Sequence, residues 1–198
     1  MGAAFTEEEE IRIREELILS GIKMCRAIGL KKMSVSKLTT AAGIAKGSFY
    51  NFFASKEDFI LEAVKYSHDG ITSLIKKKLA GRKKMTPGEF IEFYMEYLDS
   101  EYALIKDISF EDRIWLQEHL RDQDFGTRKR TAAALKKWLS YVEGIRKDLD
   151  MGIVVNLDHA ISLMMGKDEA IDEKARKSSV LLMLQTMEEY ITGREVRG

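Results

Sequence analysis

Residues 34 to 58 read Ser-Val-Ser-Lys-Leu-Thr-Thr-Ala-Ala-Gly-Ile-Ala-Lys-Gly-Ser-Phe-Tyr-Asn-Phe-Phe-Ala-Ser-Lys-Glu-Asp, and this stretch decides the fold. Ser34 is a good N-cap for a short helix over about 35–42, because its hydroxyl can accept a hydrogen bond from a free backbone N–H. Gly43 suits a sharp turn with a left-handed backbone. A second short helix follows over about 45–52. Two short helices joined by a tight turn are typical of a helix-turn-helix that lies in a DNA groove.

The charge around this stretch favours the same interpretation. The chain carries 32 basic and 32 acidic side chains, so its formal net charge is zero. Between Leu17 and Lys56 no Asp or Glu occurs, and the same span contains Lys23, Arg26, Lys31, Lys32, Lys37, Lys46 and Lys56. Local positive charge attracts phosphate and gives salt-dependent affinity for nucleic acid. Such charge alone is also typical of a solvated surface; together with the motif it favours a DNA interface.

Composition predicts a soluble, helical protein. The 198 residues are 45% hydrophobic and 32% charged, which is typical of a globular domain, and they include one proline. The single cysteine, Cys25, lies in an apolar helical pattern and is expected to be a buried, unreactive thiol. No apolar run reaches the roughly 18 residues of a membrane helix, and the acidic N-terminus is unlike a signal peptide. We therefore expect a cytoplasmic protein without membrane contact.

Apolar periodicity and capping signals predict an all-α fold of about nine helices. The first four cover about 6–28, 35–42, 45–52 and 56–79, with caps at Thr6, Ser34 and Ser55. The fifth begins at Thr86 and runs to about Ile105, and the sixth begins near Ser109. The last three begin at Thr127, Asn156 and Asp172, and they end near Asp148, Met165 and Thr192. We place a DNA-binding domain over 1–55 and a helical regulatory domain over 56–198.

Residues 17 to 66 resemble the DNA-binding domain of the TetR family of bacterial transcriptional regulators. The matching elements are the apolar face Ile22–Cys25, Gly29, Ser34-Val35, Leu38, the run 41–53 (Ala-Ala-Gly-Ile-Ala-Lys-Gly-Ser-Phe-Tyr-Asn-Phe-Phe) and Ser55-Lys56-Glu57. About a quarter of the chain carries the resemblance. Two positions depart from it: Phe52 stands where many members have Tyr or His, and Ser36 stands where a long basic residue is common.

The resemblance implies a set of DNA contacts. Lys46 would reach guanine or phosphate, Asn51 would pair with a base edge, and Tyr50 would place its hydroxyl on a phosphate. Lys56, at the start of the fourth helix, would hold the flanking DNA backbone. The complete predicted set is Ser34, Ser36, Lys37, Lys46, Gly47, Ser48, Tyr50, Asn51 and Lys56.

The resemblance also implies a C-terminal domain that binds a small-molecule effector and forms a homodimer through its last two helices. Aromatic and Met side chains would line an effector site for an apolar or aromatic ligand. The candidates are Phe93, Tyr94, Tyr97, Trp115, His119, Trp138, Tyr141 and Met164. An ordinary aromatic core is the alternative for each of them. The ninth helix is apolar on more than one face, which favours burial against its copy in a two-fold dimer.

Together these features predict a repressor that binds double-stranded DNA at a palindromic operator and is released by an unknown effector. A DNA-binding assembly protein with no effector is the alternative. An enzyme is disfavoured, because His68, His119 and His159 are far apart and no metal-ligand or phosphate-loop spacing occurs. We predict no metal and no cofactor.

Overall fold

The computed structural model describes residues 6–103, 110–120, 128–166 and 169–193. These ranges contain nine α-helices, which confirms the predicted all-α fold. The helices are α1 (Glu7–Ile28), α2 (Val35–Ala41), α3 (Phe49–Phe52), α4 (Lys56–Leu79), α5 (Pro87–Asp99), α6 (Phe110–His119), α7 (Arg128–Leu139), α8 (Met151–Met164) and α9 (Arg176–Thr192). A short 3-10 turn, Lys46–Ser48, leads directly into α3. The predicted starts at Ser109 and Thr127 lie outside the described residues. The fifth helix ends at Asp99 rather than near Ile105, because the backbone of Ser100 is extended and its hydroxyl donates to the Tyr97 carbonyl at 2.7 Å.

Local capping chemistry sets several of these helix starts. Ser34 and Ser55 each accept a backbone N–H bond from the third residue of the helix that follows. Thr6 and Thr86 form full capping boxes with Glu9 and Glu89. Each box satisfies backbone donors that a helix leaves free at its N-terminus. These four predicted caps are therefore confirmed.

Three further helix boundaries differ from the prediction. α8 begins at Met151, because Asp150 rather than Asn156 caps it and accepts from the Gly152 N–H at 2.7 Å. α9 begins at Arg176, since Asp172 instead closes a turn by accepting from the Lys174 N–H at 2.8 Å.

The end of α7 is the third difference. α7 stops at Leu139 rather than near Asp148, because the following segment pairs with the loop before α5. The Met85 N–H donates to the Tyr141 carbonyl at 2.8 Å, and the Glu143 N–H donates to the Met85 carbonyl at 3.0 Å. These two bonds form an isolated parallel bridge between Met85 and Val142, which ties the end of α4 to the end of α7.

The buried side chains form two clusters. The N-terminal core contains residues of α1, α2, α3 and the first part of α4, together with Leu116 of α6 and Leu120, which directly follows α6. The C-terminal core joins the second part of α4 with α5, α7, α8 and α9. α4 therefore belongs to both cores, and α6, which lies between α5 and α7 in sequence, packs on the N-terminal core.

Close helix contacts fix the position of α4. A side chain at Gly21 of α1 would overlap the Phe59 ring of α4, so the glycine permits close packing of these two helices. A side chain at Gly70 of α4 would in the same way overlap the Tyr102 ring. The Ser67 hydroxyl also donates to the Tyr102 carbonyl. The segment after α5 is thus held against the middle of α4.

Candidate functional site

The recognition element consists of the 3-10 turn Lys46–Ser48 and α3. Phe49 and Phe53 are 0% and 1% exposed and pack on Phe59, with ring centroids 5.9 and 5.0 Å away. Burial of these rings turns the opposite face of the element outward. That face carries Lys46, Gly47, Tyr50 and Asn51, all exposed, and the partly buried Ser48. The structure thus brings five of the predicted DNA contacts together on one short element.

Internal packing does not explain two residues at the surface of this face, Tyr50 and Gly47. The Tyr50 side chain is 56% exposed, although its ring edge contacts Phe49 at 5.5 Å between centroids. A side chain at Gly47 would meet no atom within 4 Å, so the protein interior does not require glycine there. A phenol and an open stretch of backbone are therefore available to an external partner.

The start of α2 also belongs to the helix-turn-helix. Its side chains Ser34, Ser36 and Lys37 are exposed. The Ser34 hydroxyl accepts from the Lys37 N–H at 3.3 Å. The Lys37 ammonium donates to the Lys32 carbonyl at 3.2 Å, on the surface, where a stronger acceptor can replace that carbonyl. These side chains keep the exposure that a phosphate contact needs.

Arg14 of α1 fixes the C-terminal end of the recognition element, a role that the sequence did not indicate. One of its guanidinium nitrogens donates to the Phe52 carbonyl at 2.8 Å, and another lies 3.1 Å from a Glu62 carboxylate oxygen of α4. The guanidinium carbon lies 4.7 Å from the centroid of the Phe53 ring. One side chain therefore connects α1, α3 and α4.

Lys56 differs from the other predicted DNA contacts. Its ammonium donates to the Leu30 carbonyl at 2.9 Å and lies 4.7 Å from the Trp115 ring centroid of α6. Partial burial lowers the pKa of Lys56, and the nearby Glu57 and Asp112 carboxylates partly offset that effect. We expected this ammonium on the DNA backbone; the structure instead directs it to the contact between the N-terminal core and α6.

α6 supplies acidic groups to a span that carries none of its own. Asp112 is 2% exposed, and its carboxylate accepts from the Lys31 N–H at 2.8 Å. The exposed Glu111 carboxylate lies 3.8 Å from the Lys31 ammonium. Trp115 and His119, which we predicted in an effector site, stack on each other at 4.1 Å, and Trp115 packs against the N-terminal core. Both residues therefore lie apart from the other predicted effector residues.

The remaining predicted effector residues lie in or beside the C-terminal core. Four of their rings form one cluster, in which Trp138 contacts Phe93, Tyr94 and Tyr97 edge to face, with centroids 5.6, 5.9 and 5.2 Å apart. Tyr141 and Met164 pack against the same core. The structure thus brings together six of the eight residues.

Asp158 of α8 adds a carboxylate to this ring cluster, and sequence reasoning missed it. It accepts a hydrogen bond from the Tyr94 hydroxyl. Burial, and next the Asp158 charge, raise the pKa of both Tyr94 and Tyr97 above that of a free phenol. Both phenols therefore stay protonated at neutral pH, and the Tyr94 hydroxyl remains a donor to Asp158.

A small cavity lies beside the ring cluster, between α4 and α7. Its volume is about 50 Å³. The lining residues are His68, Thr72, Ile75, Lys76, Leu79, Lys137, Trp138 and Tyr141. Two of the predicted effector residues, Trp138 and Tyr141, therefore line a space that also reaches α4.

Comparison with known proteins agrees with this geometry. The model of the bacterial regulatory proteins of the TetR family matches residues 18–63, which include the whole helix-turn-helix. Residues 18–63 thus form a DNA-binding domain of the kind found in bacterial regulatory proteins of the TetR family. Over 46 residues it is 44% identical to the transcriptional repressor NemR of Escherichia coli, and the alignment covers 23% of each chain. This first relative is thus matched over about a quarter of its length, in the DNA-binding part.

Over most of the chain, sequence identity to known proteins is lower than in the DNA-binding part, but the similarity in fold is clear. The chain is 22% identical over 188 residues to the fatty acid metabolism regulator protein of Bacillus subtilis, covering 85% of this chain and 92% of that protein. The crystal structure of a TetR-family regulator from Syntrophomonas wolfei superposes with a TM-score of 0.63 at 15% identity, over 95% and 99% of the two chains. The fold of that regulator therefore includes the C-terminal helices of this chain.

The described ranges 6–103, 110–120, 128–166 and 169–193 contain neither a membrane-spanning helix nor a metal-binding cluster. No helix in these ranges is both long and apolar enough to cross a bilayer. No group of three or more His, Cys, Asp or Glu side chains in them is arranged to hold a metal ion.

Proposed function

We propose that this protein is a DNA-binding repressor that acts as a homodimer and is released from a palindromic operator by a small apolar or aromatic effector. The observation that supports the DNA interface is that the recognition element has one buried face and one exposed face. Phe49 is fully buried, whereas Lys46, Tyr50 and Asn51 of the same element face solvent. A TetR-family recognition element with this exposure suits the major groove.

The exposed side chains fit DNA chemistry one by one. Lys46 supplies an ammonium for guanine or phosphate, and Asn51 can pair with adenine through both amide atoms. Tyr50 offers its hydroxyl to a phosphate, and Gly47 and Ser48 let the backbone come close to the groove. Ser34, Ser36 and Lys37 add phosphate contacts from the start of α2, which position the protein without reading sequence. Lys56 is omitted from this interface because of its internal contacts.

Exposed apolar side chains on the last two helices support the homodimer. Ile153 and Leu163 of α8 are 42% and 55% exposed, and Leu181 and Leu182 of α9 are 38% and 64% exposed. Covering such residues by a second copy removes apolar surface from water. Two-fold symmetry would then place two recognition elements in successive major grooves about 34–36 Å apart, which explains the palindromic operator.

The ring cluster and the neighbouring cavity support an apolar or aromatic effector. The relative from Bacillus subtilis is a regulator of fatty acid metabolism, which agrees with a response to small apolar compounds. Binding among α5 to α8, at the cavity that α7 shares with α4, would shift α4 and change the spacing of the two recognition elements. An effector weakens DNA binding only by its different affinity for the two spacings.

A DNA-binding assembly protein without an effector is the second candidate. The observation that favours it is the tight packing of the C-terminal rings, beside a cavity of only about 50 Å³. A thermal-shift screen of apolar and aromatic compounds separates the two candidates. A compound that stabilises the protein and lowers its operator affinity supports the repressor with an effector.

The DNA claim is tested by selecting bound fragments from a genomic library and titrating the recovered operator by fluorescence anisotropy. Lys46→Ala should weaken binding about tenfold and reduce the dependence of log K on log salt by about one unit. Tyr50→Phe should weaken binding about tenfold to a hundredfold, because a hydrogen bond to a charged group contributes roughly 1.5–3 kcal/mol.

Lys147→Ala is the matched control for Lys46→Ala. Lys147 is also an exposed lysine, but it lies in the loop between α7 and α8, away from the recognition element. Its variant should bind the operator as the natural protein does. Equal affinity of Lys46→Ala, Tyr50→Phe and the natural protein would contradict the proposed interface.

A further inference from the structure

We propose that the cavity between α4 and α7 binds an amphipathic anion, a single carboxylate or phosphate head on an apolar chain. The head would lie at Lys76 and Lys137, and the chain would lie on Trp138. The proposal gives a chemical class to the effector site, and it rests on the function proposed above only for its effect on DNA binding. Direct ligand binding tests it separately.

The positive charge at the mouth of the cavity is the first observation that supports an anionic ligand. Lys76 and Lys137 both line the cavity and are exposed, and neither has an ion pair among the described residues. The two lysines that follow Lys76 do have partners. Lys77 lies 3.3 Å from Glu96, and Lys78 lies 2.8 Å from Glu92. The positive charge that remains uncompensated at this end of α4 is therefore at the cavity.

The composition of the lining excludes a cationic ligand in favour of an anionic one. Besides the two lysines, the described lining has the His68 imidazole and the Thr72 hydroxyl, which donates to the His68 carbonyl at 3.0 Å, and it contains no carboxylate. Asp69, the nearest acid in sequence, lies 3.8 Å from the His68 ring nitrogen. Asp158 does not line the cavity and accepts from the Tyr94 hydroxyl. An anion would therefore meet two ammonium groups and the His68 imidazole.

The floor of the cavity is apolar. Ile75 and Leu79 of α4 are 5% and 8% exposed, and Trp138 of α7 closes the far side. A volume of about 50 Å³ holds a few water-sized groups, since one water needs roughly 10–15 Å³ on this measure. A small head and its first carbons fit without any movement. A longer chain would press on the Trp138 ring, whose edge contacts Phe93 and Tyr97.

The test is calorimetric titration of the full-length protein, stripped of lipid, with probes that share one ten-carbon chain. Decanoate and decyl phosphate carry an anionic head, decyltrimethylammonium carries a cationic head, and decanol is neutral. We expect one anion or both to bind at least tenfold more tightly than decanol and the cation, and the tighter anion identifies the head. No anion binding up to 1 mM, or equal binding of the cation, would overturn the proposal. A dissociation constant of about 1 mM is at the weak end of ligand affinities.

Charge removal at the mouth gives the second measurement. The double variant Lys76→Gln with Lys137→Gln keeps most of each stem and should weaken anion binding about fivefold to thirtyfold, since each exposed ion pair contributes modestly. The control double variant Lys65→Gln with Lys147→Gln removes the same charge at exposed positions outside the lining. Equal losses in both double variants would show a general charge effect and would overturn the site.

Operator titrations with and without decanoate separate this proposal from the proposed function. Anion binding that depends on Lys76 and Lys137 supports the site whatever happens to DNA. Retained operator binding by a protein that binds no anion leaves the repressor in place and removes the anion site. Circular dichroism of each variant confirms that the helices are formed before affinities are compared.

Discussion

Arg14 illustrates at the residue scale how a side chain outside the recognition element sets its position. α3 has four residues, so its own backbone hydrogen bonds contribute little stability, and neighbouring groups must hold it. Arg14 binds the Phe52 carbonyl at the end of α3, pairs with Glu62 and covers the Phe53 ring. Both charged side chains are about a third exposed, so the ion pair itself contributes modestly.

Arg14→Met should therefore act mainly by changing the position of α3. Methionine can keep some contact with the Phe53 ring, but it cannot donate to the Phe52 carbonyl. We expect a loss of roughly 1–2 kcal/mol in the free energy of unfolding, measured with urea. Operator affinity, measured by anisotropy, should fall about tenfold, because the contacts of α3 with DNA depend on its orientation.

Arg12→Met is the control for this change. Arg12 lies on the same helix and pairs with Glu16 one turn on, with 67% of its side chain exposed. Its loss should change the unfolding free energy by less than about 0.5 kcal/mol. A similar effect of both variants on operator binding would show that net charge, not the bond to Phe52, matters.

The contact between α6 and the N-terminal core is the main feature at the element scale. Its polar contacts include the bond from the Lys31 N–H to the Asp112 carboxylate and the approach of the Lys56 ammonium to the Trp115 ring. The same ammonium donates to the Leu30 carbonyl, and Leu116 of α6 adds a buried apolar contact. α6 therefore touches the turn after α1, which directly precedes the helix-turn-helix. Any movement of α6 changes the surroundings of that turn.

Asp112→Ala should destabilise the protein, because a partly buried Lys31 N–H loses its acceptor. The expected loss is roughly 1–3 kcal/mol. For a protein of this size each kcal/mol lowers Tm by about 2–4 °C, which calorimetry resolves. Glu111→Ala is the control: the adjacent carboxylate is 77% exposed and lies 3.8 Å from the Lys31 ammonium, so Tm should stay within about 2 °C. An equal fall in Tm for both variants would contradict the importance of the Lys31 bond.

The same elements show what sequence can and cannot predict. The caps Ser34, Ser55 and Thr86 were predictable, because a cap and its helix are adjacent in the chain and the bond is local. The end of α7 was not, because Met85, far along the chain, sets it through the bridge to Val142. The acid-free span from Leu17 to Lys56 also gave an incomplete picture, since folding brings Glu111 and Asp112 to one side of it.

In the candidate sites, too, features set by neighbouring residues were predictable and features set by distant residues were not. The exposed face of Lys46, Tyr50 and Asn51 was predictable from a local motif. The grouping of aromatic residues was predictable only in part, because helix periodicity shows that Trp115 and Trp138 are each on an apolar face but not which core that face meets. The inward direction of Lys56 depends on α6, and no signal near Lys56 in the sequence indicates it.

At the scale of the whole molecule, we propose that a second copy covers the exposed apolar side chains of α8 and α9. Leu182→Glu places a charge at a position that is 64% exposed in the single chain and would be covered in a dimer. Burying an unpaired charge costs several kcal/mol, so light scattering at micromolar concentration should show a monomer, against a dimer for the natural protein. Operator affinity should fall as well.

Ile11→Glu is the matched control for Leu182→Glu. Ile11 on α1 is 57% exposed, and α1 takes no part in the proposed dimer. This variant should remain a dimer. A monomeric natural protein, or a dimeric Leu182→Glu variant, would contradict assembly through the last two helices.

The bridge between Met85 and Val142 has a mechanical consequence for α4. It fastens the loop after α4 to the end of α7, so the C-terminal end of α4 is a natural pivot. A helix of 24 residues is about 36 Å long, and a tilt of about 5° about that pivot displaces its N-terminus by about 3 Å. That displacement is comparable to the length of one hydrogen bond to a phosphate. A rotation of α4 too small to disturb the C-terminal core would thus suffice to separate Tyr50 from the phosphate that we propose it contacts.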